Sequence, residues 1–286
     1  MALSGPWRSA LDPERVMQMD VVHWQGDEQQ VREDHLTVEE PFEIRIGQQS
    51  LAMIMRTPGH DRELAMGFLF TEGVISATAD VVTIESALDS DDLPLANVVS
   101  VKLRHHGQQE QLQAQTASFE RHFAVSASCG LCGKNSIADL MLSTPALEPD
   151  TLRISTSTLY KLATQLREQQ SVFRHTGGLH AAGLFTRNGD LLLLREDVGR
   201  HNAVDKLIGY GLLNRIYPYR EHILMVSGRT SFEIIQKALL ARIPCVAAIS
   251  APSSLAVELA DRSGITLIGF LRDHSMNVYT HPERII

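Results

Sequence analysis

The sequence predicts an α/β protein made of two units, and three observations support this fold class. The chain has 286 residues, about twice the length of a common domain. Its composition, with 44% hydrophobic and 21% charged residues, is that of a globular protein able to bury a core. Near residue 125 the pattern changes from strands with one helix to a regular alternation of strands and helices.

Three segments follow from these patterns. Residues 1–35 are polar and lack apolar periodicity, which predicts an irregular N-terminal arm. Residues 36–125 are expected to form a small α+β domain, and residues 126–286 an α/β domain that carries the chemistry.

The first domain is predicted to open with a hairpin. Phe42, Ile44 and Ile46 alternate with polar residues, which indicates a half-buried strand, and the apolar run 51–55 supplies its partner. Residues 64–69 have the apolar spacing of a helix face. Further strands are predicted at 81–84, 98–103 and 119–125.

The second domain is predicted to contain a mixed, mostly parallel sheet covered by helices. The Asn188-Gly189 pair predicts a tight hairpin between its first two strands. The alternation that follows requires crossover connections, which join parallel strands. Strands are predicted at 181–186, 191–195, 223–227, 246–249 and 265–271, and helices at about 157–170, 200–213, 231–242 and 253–263.

Charge and hydropathy exclude some classes of partner. The chain has 34 acidic and 26 basic residues, a net charge of −8, whereas proteins that bind nucleic acid usually carry a basic excess. No apolar stretch approaches the ~20 residues of a membrane helix, and the first 16 residues do not form a signal peptide. We therefore expect a cytoplasmic protein that binds neither nucleic acid nor membrane.

The three cysteines do not indicate a disulfide scaffold. Cys245 lies in an apolar strand and is predicted to be a core residue. Cys129 and Cys132 form a C-x-x-C pair in a segment rich in Gly and Ser, followed by Lys134. A nearby cation and a helix N-terminus would lower the pKa of a thiol and favour the reactive thiolate.

Four chemistries are compatible with this pair to different degrees. A zinc site needs about four ligands, and no second pair of cysteines is present. The cysteine signature of a zinc deaminase is incomplete at Pro244-Cys245, and a thioredoxin-type site usually accompanies a βαβ unit. Sulfur transfer through a persulfide needs one reactive thiolate. We expect no metal site, and the residues alone leave the choice between redox chemistry and sulfur transfer open.

Three strand-to-helix junctions, at 196–202, 227–231 and 250–254, are rich in Gly, hydroxyl and basic residues. The carboxyl ends of strands bind ligands in open α/β sheets, and helix N-termini favour anions. We predict a phosphate or pyrophosphate ligand there, although ordinary helix capping would explain any single junction. The candidate residues are His201, Gly228, Arg229 and Ser231, with His180 after a pair of glycines.

Seven motifs, taken in order, are more specific than any one of these features. They are Glu39-Glu40-Pro41, Thr57-Pro58-Gly59-His60-Asp61, Ser128-Cys129-Gly130-Leu131-Cys132-Gly133-Lys134, Thr176-Gly177-Gly178-Leu179-His180, Glu196-Asp197-Val198-Gly199-Arg200-His201-Asn202-Ala203-Val204-Asp205-Lys206, Ser227-Gly228-Arg229 and Ser250-Ala251-Pro252-Ser253-Ser254. Together they closely resemble the FdhD family of sulfur carriers needed for formate dehydrogenase activity. The resemblance extends from about residue 39 to residue 280.

The resemblance implies a cytoplasmic sulfurtransferase that serves formate dehydrogenase. It would accept sulfur as a persulfide from a cysteine desulfurase and pass it to the bis-molybdopterin guanine dinucleotide cofactor of molybdenum or tungsten. The family pattern makes Cys129 the persulfide carrier, with Cys132 assisting. An alternative function is a chaperone for this cofactor, in which the cysteine pair is a redox latch or a zinc clip.

The resemblance also assigns the cofactor to the turn after the last core strand. The turn residues are Phe270, Leu271, Arg272, Asp273, His274 and Ser275. This chain has His274 and Ser275 where relatives often place a second Arg. A guanine nucleotide would mimic one end of the cofactor. The resemblance further implies a homodimer and a cytidine-deaminase-like fold for the second domain.

Overall fold

A computed structural model describes residues 14–104 and 144–286 of the chain. Cys129, Cys132, the strand predicted at 119–125 and the domain boundary predicted at residue 125 lie outside these ranges. No helix within them is long and apolar enough to cross a lipid bilayer.

The chain enters the structure through a two-stranded antiparallel ribbon. Strand β1 (Val16–Gln25) pairs with β2 (Glu28–Thr37) along the whole length of both strands. The prediction of an irregular arm is therefore wrong for these residues. Most of their side chains are exposed, so the ribbon lacks the buried face that produces apolar alternation in a sequence.

The predicted hairpin and helix of the first domain are confirmed. The hairpin strands belong to a four-stranded sheet. The strand order is β4-β3-β6-β5, in which β3 and β6 are parallel and the other neighbours antiparallel. Helix α1 packs against one face of this sheet. The elements are β3 (Glu40–Ile46), β4 (Gln49–Arg56), α1 (Asp61–Thr71), β5 (Val81–Leu88) and β6 (Pro94–Leu103).

The C-terminal part contains a six-stranded sheet and five helices among the described residues. Its strands are β7 (His180–Thr186), β8 (Leu191–Asp197), β9 (His222–Val226), β10 (Cys245–Ala248), β11 (Thr266–Arg272) and β12 (Ser275–Thr280). Its helices are α2 (Thr156–Gln169), α3 (Ser171–Thr176), α4 (Arg200–Leu213), α5 (Phe232–Leu240) and α6 (Ser254–Ser263).

The α/β class and the mixed sheet are confirmed, and the pairing adds a detail to both. The strand order is β12-β11-β10-β9-β7-β8. Only β9, β10 and β11 pair in parallel, because the hairpins β7-β8 and β11-β12 reverse the chain direction at both sides. Parallel strands therefore form the centre of the sheet and not most of it. Strand β12 was not predicted.

One hydrophobic core continues from the C-terminal sheet into the N-terminal unit. Helix α2 covers one face of the six-stranded sheet, and α4, α5 and α6 cover the other. The core on the second face includes α1 and the four-stranded sheet. Helices α1 and α4 approach so closely that a Cβ at Gly67 would overlap the carbonyl oxygen of Asp205, and one at Gly209 that of Glu63.

Candidate functional site

Strand pairing brings the three predicted junctions to one edge of the C-terminal sheet. His180 starts β7 and pairs with Asp197, the last residue of β8. Strand β7 runs antiparallel to β9, so its first residue lies beyond the carboxyl end of β9. The segments after β8, β9 and β10 therefore meet at the edge where α/β sheets commonly bind ligands.

His180, Gly228 and Arg200 are packed together at this edge. A Cβ built at Gly228 would lie 3.2 Å from Nδ1 of His180 and 3.7 Å from Cβ of Arg200. Burial lowers the pKa of His180, and the positive charge of Arg200 lowers it further, while Asp197 acts in the opposite direction. His180 is therefore mainly neutral at pH 7, with one ring nitrogen able to donate and one able to accept a hydrogen bond.

His201, in the first turn of α4, contacts the start of α5. Its Nε2 lies 3.2 Å from Oγ of Ser231 and 3.8 Å from a carboxylate oxygen of Glu233. Burial, followed by the charges of Lys237 and Arg200, lowers the pKa of His201 to about 4. His201 thus offers hydrogen bonds at this edge without adding positive charge at neutral pH.

The positive charge of the edge comes from Arg200 and Arg229. Arg229 is exposed, whereas Nε of Arg200 and Oγ1 of Thr230 are buried and have no hydrogen-bond partner among the described residues. Buried polar groups without partners are uncommon in native proteins. These two groups and the exposed cation of Arg229 favour the prediction of a polar, anionic ligand at this edge.

Backbone hydrogen bonds connect the second junction to the third and to β11. The amide of Thr230 donates to the carbonyl of Ala251 (3.2 Å), and the amide of Ser253 donates to the carbonyl of Thr230 (3.0 Å). The amide of Phe270 donates to the carbonyl of Ser250 (3.2 Å). The edge is therefore continuous from Arg229 to the end of β11.

The turn that the resemblance assigns to the cofactor, residues 270–275, begins with an exposed residue followed by a buried one. Phe270 is 42% exposed and has a φ of +52°, an unusual backbone conformation for a bulky residue. Leu271 is fully buried in the core under α2, so only its backbone could contact a ligand. Arg272 is exposed and anchored through Nη1 to the carbonyl of Ile249 (2.6 Å).

The rest of the turn is exposed and lies against α2. Oδ1 of Asp273 accepts a hydrogen bond from Oγ1 of Thr164 (3.1 Å). The ring of His274 meets that of Tyr160 edge to face, with centroids 6.3 Å apart. Ser275 is exposed and pairs with Arg272, which closes the turn between β11 and β12.

The β8–α4 junction has a second side, which faces the N-terminal unit. The buried carboxylate of Asp197 accepts hydrogen bonds from the amides of Gly199 (2.8 Å) and Thr57 (3.2 Å) and from Nδ2 of Asn202 (2.9 Å). It also pairs with Nζ of Lys206 at 2.7 Å. This interdomain cluster of Thr57, Asp197, Asn202 and Lys206 joins the Thr57–Asp61 motif to the junction at 196–202, which was predicted to bind a ligand.

A second buried cluster lies behind the site. Nζ of Lys237 contacts both carboxylate oxygens of Asp205 (2.8 and 2.9 Å) and Oγ1 of Thr71 (2.8 Å). These contacts connect α5, α4 and α1. Because Lys237 also lowers the pKa of His201, the charge that holds the helices together influences the ligand-binding edge.

Cys245 is the one cysteine within the described residues. Cys245 is fully buried, and burial raises the pKa of its thiol to about 12, which confirms the prediction of a core residue. Within residues 14–104 and 144–286, no group of three or more His, Cys, Asp or Glu side chains is arranged to hold a metal ion. The roles of Cys129 and Cys132 stay predictions, since both lie outside those ranges.

Comparison with known proteins identifies close relatives. The sequence model of the FdhD/NarQ family matches residues 37–286. The "Sulfur carrier protein FdhD" of Mycolicibacterium paratuberculosis is 47% identical over 270 residues, which cover 93% of this chain and 97% of the relative. The protein of the same name from Sulfurisphaera tokodaii is 44% identical over 275 residues, or 95% and 100% of the two chains.

A solved structure has the same fold. The crystal structure of a proposed formate dehydrogenase accessory protein from Desulfotalea psychrophila superimposes with a TM-score of 0.72. The match covers 95% of this chain and all of the other, at 24% sequence identity.

Proposed function

This chain belongs to the FdhD/NarQ family, and from that premise we propose that it is a sulfur carrier that serves formate dehydrogenase. The observation that carries the proposal is its identity of 44–47%, over nearly its whole length, to proteins named sulfur carriers. Its activity is then that of a sulfurtransferase, with a cysteine desulfurase as donor and the bis-molybdopterin guanine dinucleotide of molybdenum or tungsten as acceptor substrate.

Sulfur enters through Cys129 in this proposal. The Cys129 thiolate attacks the terminal sulfur of the desulfurase persulfide, the sulfur–sulfur bond of the donor breaks, and the desulfurase cysteine leaves as a thiolate. Cys129 then carries the persulfide, with Cys132 assisting its release. This assignment is supported by the C-x-x-C motif that the chain shares with the family pattern.

The acceptor substrate binds, in this proposal, at the edge of the C-terminal sheet. One of its pyrophosphate groups would lie near Arg200 and the exposed Arg229, beside the buried and unpartnered Nε of Arg200 and Oγ1 of Thr230. His180, His201, Gly228 and Ser231 line the same edge. The guanine nucleotide end would bind at the turn through the exposed Phe270 and Arg272, and Asp273, His274 and Ser275 complete the exposed part of this turn.

The sulfur-carrier proposal is tested by mass spectrometry of the protein after incubation with a cysteine desulfurase and cysteine. We expect an adduct of about 32 Da, one sulfur atom, on the peptide that contains Cys129. The adduct should be lost in Cys129→Ala and retained in Cys132→Ala. Cys245 is an internal control, because its buried thiol should stay unmodified.

Two results would contradict this proposal. An adduct that persists in Cys129→Ala but disappears in Cys132→Ala would show that Cys132, and not Cys129, carries the persulfide. Stoichiometric zinc in protein purified without a chelator would instead favour a zinc clip in a cofactor chaperone.

The acceptor site is tested with GDP as the probe, by calorimetric titration. Arg229→Gln removes an exposed cation at the edge and should weaken GDP binding about 10- to 100-fold, as expected for a hydrogen bond to a charged group. Arg187→Gln is the matched control, since Arg187 is equally exposed but lies at the opposite end of β7. Equal losses in both variants would show that net charge, and not this edge, determines binding.

A further inference from the structure

Helix α2 contacts the turn between β11 and β12 through Tyr160, which also packs against the core, and through the exposed Thr164. Its core face is formed by Leu159, Leu162 and Leu166, which are fully buried under the sheet. Tyr160 and Thr164 are four residues apart and therefore lie one above the other on the adjoining helix face. Both reach residues of the turn between β11 and β12.

The turn has little support from its own strands. The β11–β12 register shifts between Gly269 and Arg272, so the ladder is irregular directly before the turn. Phe270, within this shift, has a left-handed backbone. The pair Arg272–Ser275 closes the turn, but a two-stranded end with an irregular ladder leaves its orientation to side-chain contacts.

The two contacts hold both central turn residues toward α2. The hydroxyl of Thr164 donates to the carboxylate of Asp273 at 3.1 Å. The ring of Tyr160 meets His274 at an interplanar angle of 65°. On the other side, Arg272 is held by the carbonyl of Ile249.

The charge of Asp273 makes its orientation important. A carboxylate beside Arg272 repels a phosphate group and competes for the guanidinium. The Thr164 hydroxyl is a neutral donor, so it can hold this carboxylate aside without adding a charge of its own.

We propose that Thr164 and Tyr160 are positioning residues for the binding of a guanine nucleotide phosphate: they hold Asp273 and His274 against α2 and leave Arg272 facing the ligand. This inference rests on the proposed assignment of the turn to the nucleotide end of the acceptor. It gives the exposed face of α2 a role in specificity for anionic ligands.

The first test is GDP affinity of Thr164→Val, which removes the hydroxyl and keeps the branched shape. We expect affinity to fall about three- to tenfold, the range for the loss of one solvent-exposed hydrogen bond. Thr164→Ser should restore it. Tyr160→Phe, which keeps the ring, should bind as the unchanged chain does, and Tyr160→Leu should bind more weakly.

The second test separates positioning from loss of structure. Asp273→Asn, added to Thr164→Val, should recover GDP affinity, because the repelling charge is gone. Thr156→Val is the matched control on the same helix, about two turns away. Thermal unfolding should be the same for Thr164→Val, Thr164→Ser and the double variant, since Thr164 and Asp273 are exposed.

Three results would overturn the inference. If the unchanged chain does not bind GDP, the ligand assignment fails and the inference fails with it. If the unchanged chain binds GDP and Thr164→Val binds equally well, the inference alone fails. If Asp273→Asn by itself weakens binding as much as Thr164→Val, Asp273 contacts the ligand directly and is not held aside.

Discussion

At the proposed ligand-binding edge, different residues supply positive charge and neutral hydrogen-bonding groups. Arg200 and Arg229 supply positive charge, while burial keeps His180 and His201 mainly neutral at pH 7. A neutral imidazole in this position can exchange hydrogen bonds with a ligand and leave the total charge unchanged. Binding at this edge should therefore depend on salt through the arginines more than on pH through these histidines.

His201 carries a testable pH dependence of stability. Its pKa in the folded chain is about 4, below the ordinary value of about 6.5 in an unfolded chain. As the pH falls from 6.5 to 4, the unfolded state gains the proton first, so the stabilising contribution of neutral His201 is complete above pH 6.5 and is lost toward pH 4. His201→Gln should flatten the fall in unfolding free energy between pH 7 and pH 5, measured with urea.

The comparison variant is His222→Gln. Burial also lowers the pKa of His222, at the opposite end of β9, so its replacement should remove a separate part of the slope. A proton NMR titration in which His201 changes charge near pH 6.5 would contradict the prediction.

At the residue level, one physical rule was sufficient to predict which junctions lie together, while the ligand-binding roles of their residues stay predictions. The rule that ligands bind at the carboxyl ends of strands brought His201, Gly228 and Arg229 to one edge, where the structure places them together with His180. The same rule could not separate the two sides of a junction. Asp197 and Lys206 lie in one of the motifs, but they face the N-terminal unit, because a linear spacing does not show which neighbour a helix start contacts.

Among the secondary-structure elements, the crossing of α1 and α4 is the tightest packing between the two units. Gly67 and Gly209 allow the two backbones to touch, since any Cβ there would overlap a carbonyl oxygen of the other helix. Neither helix has a compensating flexible side chain at that point, so only separation of the helices would make room.

Gly67→Ala should therefore destabilise the protein by more than the usual cost of overpacking, about 1–3 kcal/mol, measured by urea unfolding. Gly26→Ala is the control, because Gly26 has open space around its Cα but a φ of +63°. That variant reports the cost of backbone strain alone, about 1 kcal/mol. Similar losses in the two variants would show that the helix contact relaxes easily.

Strands with a buried face were predictable from the sequence, and exposed strands were not. Phe42 and Ile44 alternate with polar residues because one face of β3 lies on the core. Edge strand β12 alternates between exposed and half-buried residues, a signal that was missed, whereas β1 and β2 are exposed along most of their length. Backbone pairing holds them, and backbone pairing leaves no pattern in the side chains.

At the scale of the whole molecule, the two units share one core and two clusters of buried charges. The interdomain cluster places Asp197 and Lys206 out of contact with water between them, and Nζ of Lys206 also reaches the carbonyl of Thr57 (2.9 Å). Such a pair is expensive to break, because one partner is left buried without its counter-charge. The units should therefore unfold together.

Lys206→Met tests this expectation. Removing one partner of a buried pair costs about 3–5 kcal/mol, and circular dichroism and fluorescence should still report a single urea transition. Arg220→Met, which removes one partner of the exposed pair Arg220–Glu148, should cost no more than about 1 kcal/mol. Two separate transitions in the unchanged chain would contradict the shared core.

The shared core also has a consequence for synthesis on the ribosome. The buried face of α1 is covered by α4, and about 140 residues separate the ends of these two helices in the chain. At about 5–20 residues per second, α1 stays without its partner for about 7–28 s after it is made. During that interval its apolar side chains, among them Leu64, Phe68 and Leu69, are open to wrong contacts in the nascent chain. Helix α1 is therefore the segment on which a chaperone would act.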